Sequence, residues 1–223
     1  MRFVNQKTFV GQAAENIVAY SADICQVETT DLASLQFEGR LDGGMMHPST
    51  CTRCPLHVDG TPVTSVRGTA YRPGGVVLMY DMPSPREFEQ GDFQLDVLQD
   101  VLEEAQLSID TVALLAWVKC RPPRGRLDDT PFAVVECEAW REPELADLLP
   151  GTLVLMGRHV VQSYFGATAT VSAVRGKPLP PGKHGVYPVV ATWHPWATRQ
   201  DQRLRKDFVN DLTLATELSQ HAR

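Results

Sequence analysis

Four cysteines carry the spacing of metal ligands. Cys51 and Cys54 form a C-x2-C pair, Cys120 follows an apolar run, and Cys137 comes seventeen residues later. Thiolates in this pattern suit zinc and an iron–sulfur cluster equally well, with buried unliganded thiols as the alternative. Cys25 has no partner at ligand spacing and reads as a core thiol, and His47 reads as a polar loop residue. A second set of reactive side chains stands where apolar runs stop: Asp81-Met82-Pro83-Ser84, Lys119-Cys120-Arg121, Gly157-Arg158 and His194-Pro195.

The runs that end there have the character of buried strands. Val76-Val77-Leu78-Met79 follows Pro73-Gly74-Gly75, Val112 to Val118 runs into Pro122-Pro123, Leu153 to Met156 follows Pro150-Gly151, and Val189 to Trp193 precedes His194-Pro195. Short runs that are apolar at every position suit strands covered on both faces. Between them, Leu95, Leu98, Val101, Leu102 and Ala105 recur at helical spacing among polar residues. Phe132 to Leu149 is a helical stretch interrupted at Pro143, Gly157 opens another helix, and Gln202 to Leu218 closes the chain with Phe208, Leu212 and Ala215 inward. Strands alternating with helices predict an α/β fold, a three-layer α/β/α sandwich around a central, mainly parallel, four-stranded sheet. In such sheets ligands bind at the carboxyl ends of the strands, which is where these polar residues lie.

Composition is that of an ordinary globular protein: 223 residues, 43% hydrophobic and 22% charged. One domain over residues 46–223 with an N-terminal extension over 1–45 fits this length. No apolar run approaches the roughly 20 residues that cross a bilayer, and Met1 to Tyr20 lacks the apolar core of a secretory signal. The expectation is a cytoplasmic protein that does not engage membranes. Its odd cysteine count then points to metal rather than disulfides. A net charge of −6 argues against a general nucleic-acid binder, although Arg121, Arg124 and Arg126 would give a local basic rim.

The order of these signatures resembles the family 4 uracil-DNA glycosylases. Cys51-x2-Cys54-Pro-Leu56 comes first, then a strand with a proline-containing loop, Val118-Lys119-Cys120-Arg121-Pro122-Pro123, Cys137, Arg175-Gly176 and Thr192-Trp193-His194-Pro195. The resemblance covers roughly Cys51 to Leu212. It implies a structural 4Fe-4S cluster held by Cys51, Cys54, Cys120 and Cys137. It also implies a DNA partner, single-stranded or presenting a flipped nucleotide from a duplex, from which a base is excised by water. Asp81 matches the acidic residue beside the sugar, and His194 matches the histidine that steadies the departing base. Phe93 matches the aromatic that stacks on the base, or else staples the start of its helix. Pro83 and Ser84 match a loop against the DNA backbone, and Arg121 and Arg126 stand where phosphates approach.

Departures from the family gather at the base pocket. The family's Gly-Glu-Ala-Pro-Gly is here Tyr80-Asp81-Met82-Pro83-Ser84. Asp reaches less far than Glu by one carbon–carbon bond, about 1.5 Å, and a misplacement of about 1 Å can cost roughly a hundredfold in rate. Tyr80 stands where the family leaves room for the base, and Ala116 stands where an asparagine reads the base edge. A site that lacks such a hydrogen-bonding group loses discrimination. Three readings follow: a glycosylase for uracil or a related base, a catalytically altered or inactive homologue that binds DNA or a partner protein, and a cluster-bearing scaffold within a larger assembly.

Overall fold

The structure, a computed structural model, describes residues 51–59, 63, 65–84, 95–181 and 186–221. The extension over 1–45 lies outside the described residues. Five strands form one sheet in the order β1-β3-β2-β4-β5: β1 Val66–Arg67, β2 Val76–Tyr80, β3 Ala113–Ala116, β4 Thr152–Met156 and β5 Val189–Thr192. All neighbours pair in parallel except β1, which is antiparallel to β3. The expected four-stranded sheet therefore gains one edge strand. β1 has only two residues, both exposed, so it carries no hydrophobic period.

Every residue of the other four strands is buried. Alternate side chains separate into two cores, as the two-residue period of a strand requires. Val77, Met79, Leu115, Leu153, Leu155 and Ala191 pack on one face with Leu145 and Leu148 of α4 (Glu138–Leu148) and Val160 and Val161 of α5 (Arg158–Phe165). Leu78, Tyr80, Leu114, Ala116, Val154, Met156 and Val190 face the other way. They meet Leu98, Val101 and Leu102 of α2 (Leu95–Glu104) and Phe208, Leu212 and Ala215 of α8 (Gln202–His221), all fully buried as the helical spacing predicted. The three-layer α/β/α arrangement follows. Short helices α1 (Leu56–Asp59), α3 (Pro131–Glu136), α6 (Val171–Val174) and α7 (Pro195–Gln200) complete the described elements.

The interruption expected at Pro143 falls instead at Cys137, between α3 and α4. Pro143 sits inside α4. Its ring leaves the Ala139 carbonyl without an intrahelical donor, but both residues are exposed, so water can meet that carbonyl. At Cys137 the backbone is tied on both sides: its N–H donates to the Ala133 carbonyl at 3.0 Å and its carbonyl accepts from Trp140 at 3.0 Å. Among the described residues no helix is long and apolar enough to cross a membrane.

The end of β5 is anchored by a buried ionic knot. Asp211 of α8 accepts from Arg175 Nε at 2.9 Å, Thr192 Oγ1 at 2.8 Å and the Gly176 N–H at 3.1 Å. Arg175 also bonds the Asp207 carbonyl at 2.8 Å, and Trp193 Nε1 donates to Asp207 Oδ2 at 3.4 Å. These contacts hold the residues that immediately precede His194. Replacing one partner of such a pair strands the other, which costs about 3–5 kcal/mol. Asp211→Ala is expected to lower unfolding stability by about that amount in urea titration; a loss below about 1 kcal/mol, the range of a surface pair, would contradict the anchoring role.

Candidate functional site

β2 lies between β3 and β4, so the chain leaves β2 to one side and later returns to the other. Ligands in open α/β sheets bind at the carboxyl ends on either side of such a reversal. Tyr80 and Ala116 are register partners at the ends of β2 and β3, and Met156 and Thr192 at the ends of β4 and β5. Pairing continues one step further, with the Trp117 N–H on the Tyr80 carbonyl at 2.7 Å and the Val118 N–H on the Asp81 carbonyl at 2.9 Å. Asp81 therefore starts its loop from a rigid backbone.

Its carboxylate is the centre of the site. The side chain is only 14% exposed, and three donors face it: the Met82 N–H at 2.9 Å on Oδ1, His194 Nε2 at 3.4 Å on Oδ1, and His159 Nδ1 at 3.2 Å on Oδ2. His194 precedes α7, and its Nδ1 accepts the Trp196 N–H at 3.2 Å. That bond leaves the proton on Nε2, the nitrogen toward Asp81. Gly157 makes room for this ring. Its φ of +92° is a left-handed conformation, and a Cβ there would stand 3.0 Å from His194 Cβ.

His159 was not among the residues singled out from sequence, although it lies two residues past the Gly157 that closes β4. Its second nitrogen, Nε2, is 3.3 Å from Asp128 Oδ1. Asp128 in turn accepts from Arg158 at 2.9 Å, and an Arg158 nitrogen stands 3.1 Å from His159 Nε2. The hydrogen bond to Asp81 and the charges of Asp81 and Asp128 raise the His159 pKa, outweighing burial and the Arg158 charge. Burial alone would push the Asp81 carboxyl up, but hydrogen bonds from His159 and His194 hold it far below the usual carboxylate range.

The four cysteines come from three segments: Cys51 and Cys54 precede α1, Cys120 follows β3, and Cys137 lies between α3 and α4. Cys54, Cys120 and Cys137 are buried, Cys51 is half-buried, and none is in a disulfide. The Cys120 thiol is pushed up to about 12 by burial and by the proximity of Cys137, Cys54 and Cys51, so all four sulfurs bear on one region. Trp140 Nε1 donates to Cys51 Sγ at 3.3 Å, and the Lys119 N–H to Cys137 Sγ at 3.5 Å. An all-sulfur donor set in an apolar shell, with N–H groups on two sulfurs, fits a thiolate-bound centre. Among the described residues no three such side chains meet at the distances a single ion needs. Behind this pocket Lys119 Nζ is paired with Glu144, both buried, and the Ser65 N–H bonds Glu144 at 3.1 Å. The Arg141 guanidinium lies 3.9 Å over the Trp117 ring and donates to the Trp117 carbonyl at 2.8 Å.

Arg121 joins the two regions, its guanidinium donating to the Pro83 carbonyl at 2.8 Å. The loop folds back on it at Gly125, where a Cβ would stand 2.4 Å from an Arg121 nitrogen. Arg126 is exposed and paired with Asp129 at 3.1 Å. Pro83 is buried and Ser84 half-buried beside Asp81. Tyr80 and Ala116 are sealed in the core against α2 and α8, at 1% and 0% exposure. Phe93 lies outside the described residues.

Residues 63–213 match the uracil DNA glycosylase superfamily. Three curated relatives are similar over most of their length, each named a Type-4 uracil-DNA glycosylase. That of Archaeoglobus fulgidus is 28% identical across 80% of this chain and 92% of its own. That of Sulfurisphaera tokodaii is 26% identical across 76% and 80%, and that of Thermotoga maritima 26% across 74% and 87%.

The two shifts in the carboxylate site act on stability at opposite ends of the pH scale. The lowered Asp81 pKa contributes stability above about pH 4 and loses it as the pH falls through the folded value. The raised His159 pKa contributes below about pH 6.5 and loses it as the pH rises through the folded value. Melting temperature is therefore expected to decline on the alkaline side of about pH 6.5, with a shallower decline in Asp81→Asn. Identical slopes in the two proteins would contradict the pairing.

Proposed function

This chain belongs to the uracil DNA glycosylase superfamily, and we propose that it is a DNA repair glycosylase that hydrolyses the bond between deoxyribose and uracil or a related base. The observation that carries the proposal is the Asp81 carboxylate, held ionised at the switch point of the sheet with a histidine N–H beside it. The names of the three relatives support the same chemistry.

In this reading the target nucleotide is turned out of the stack into the crevice beyond β2 and β4. As the glycosidic bond breaks, the sugar gains positive charge and the base departs as an anion. Asp81 stabilises the cationic sugar and orients the water that adds to it. His194 offers its Nε2–H to a base oxygen. Its contact with Asp81 is long, 3.4 Å, so that proton can be shared with an incoming acceptor. Fixed groups aimed at developing charge are the largest source of acceleration in such sites.

Residues 46–223 form the glycosylase-like domain of this proposal, with 1–45 as an extension. Cys51, Cys54, Cys120 and Cys137 would hold a 4Fe-4S cluster. A cluster places its own iron and sulfide between thiolates that bear on one region, as these four do. When bound it supplies a cross-link between the loops of Cys51, Cys120 and Cys137. Through Arg121 and Pro83 that cross-link would steady the Asp81 loop, and Ser84, Arg121 and Arg126 would lie toward the DNA backbone.

Single-stranded and duplex oligonucleotides carrying uracil, hypoxanthine or modified pyrimidines test the reading. Abasic sites are expected with at least one, at a rate that Asp81→Asn lowers about 10²- to 10⁴-fold. No abasic site with any substrate would overturn excision and favour a DNA- or protein-binding homologue. The purified protein is expected to be brown and to contain iron; a colourless protein containing zinc would overturn the cluster.

A further inference from the structure

Asp81 is a short carboxylate asked to hold one orientation, and rotation about its last torsion is soft, with a broad, roughly two-fold profile. The Met82 N–H and His194 both address Oδ1, so they hold the carboxylate from one oxygen only. The other oxygen, Oδ2, faces His159 Nδ1 at 3.2 Å. Its own ring is steadied from the far side, since Asp128 faces Nε2 at 3.3 Å and is itself paired with Arg158. The four groups come from three places in the chain: the end of β2, the first turn of α5 and the turn Leu127–Asp129. The charged groups facing His159 are thus Asp81, Asp128 and Arg158, with His194 reaching it through Asp81.

We propose that His159 is a positioning residue for Asp81, clamped between Asp81 and Asp128 so that it fixes the plane of the Asp81 carboxylate, with Arg158 tensioning the clamp at the rim. The inference rests on the excision reading for its catalytic consequence, but the clamp itself is a property of the DNA-free protein. A carboxylate pinned at both oxygens requires little reorganisation when charge develops beside it.

Single-turnover kinetics on an excised oligonucleotide separate positioning from DNA affinity. His159→Leu removes the donor and is expected to slow the step about a hundredfold, with the half-saturating DNA concentration changed less than about threefold. His159→Asn places an amide N–H near the position of Nδ1, and is expected to recover the rate to within about tenfold of wild type. The wild-type rate should fall on the alkaline side as His159 loses its charge. That limb should vanish in His159→Asn and move to lower pH in Asp128→Asn. A His159→Leu protein with wild-type rate and profile, or one whose whole defect is DNA affinity, overturns the proposal. Nitrogen-15 NMR of histidine-labelled, DNA-free protein reads the clamp without activity: the His159 midpoint is expected to fall in both Asp81→Asn and Asp128→Asn. If those midpoints move but no base is excised, the clamp stands and the excision reading fails. If they do not move, the clamp is overturned whatever the enzyme excises.

Discussion

The arrangement depends on one buried negative charge that must be compensated. A carboxylate withdrawn from water costs several kcal/mol unless charge and hydrogen bonds replace its hydration. Asp81 receives that replacement from a backbone N–H and two imidazoles, each delivered by a different strand end. β2 supplies the acid, the β4–α5 junction supplies His159, and β5 supplies His194. The sheet register, with Tyr80, Ala116, Met156 and Thr192 at the ends of adjacent strands, is what lets these short side chains meet. Gly157 contributes by being absent as a side chain, since any Cβ there would press on His194.

The supporting contacts run outward from this centre in two directions. Toward α8, Asp211 and Asp207 gather Arg175, Thr192 and Trp193, and so determine where His194 leaves the sheet. Toward the cysteines, Arg121 links the Pro83 carbonyl to the loop that follows Cys120. Its guanidinium donates to the backbone of the Asp81 loop, so the segment that carries Cys120 and the loop that carries the acid are in contact. The buried Lys119–Glu144 pair and the Arg141–Trp117 stack close the same region from behind.

How much of this was legible in the sequence depended on the range of the interaction. Short-range periodicity gave α2 and α8 their inward residues, Leu98, Val101, Leu102, Phe208, Leu212 and Ala215, because one face of a helix must be apolar to be buried. The four buried strands were visible as apolar runs closed by Gly and Pro. β1 was not, because two exposed residues hold no pattern. A rule of local chemistry points to Pro143 as a break, whereas the helices divide at Cys137 and Pro143 lies inside α4. Asp81, His194 and the four cysteines stood out by residue type at strand ends or at ligand spacing. His159 did not, since its significance lies in contacts with Asp81 and Asp128, 78 and 31 positions away. Burial of Tyr80 and Ala116 in the core was equally a matter of tertiary packing.

Carbon-13 NMR of the Asp81 carboxyl tests the central claim most directly, because it reports the charge on that group between its two histidines. The account predicts that the signal keeps its carboxylate shift as the pH falls past about 3.9, the ordinary value for aspartate, and changes only well below it. A midpoint at or above that value would contradict the ionised, doubly held carboxylate on which the site is built.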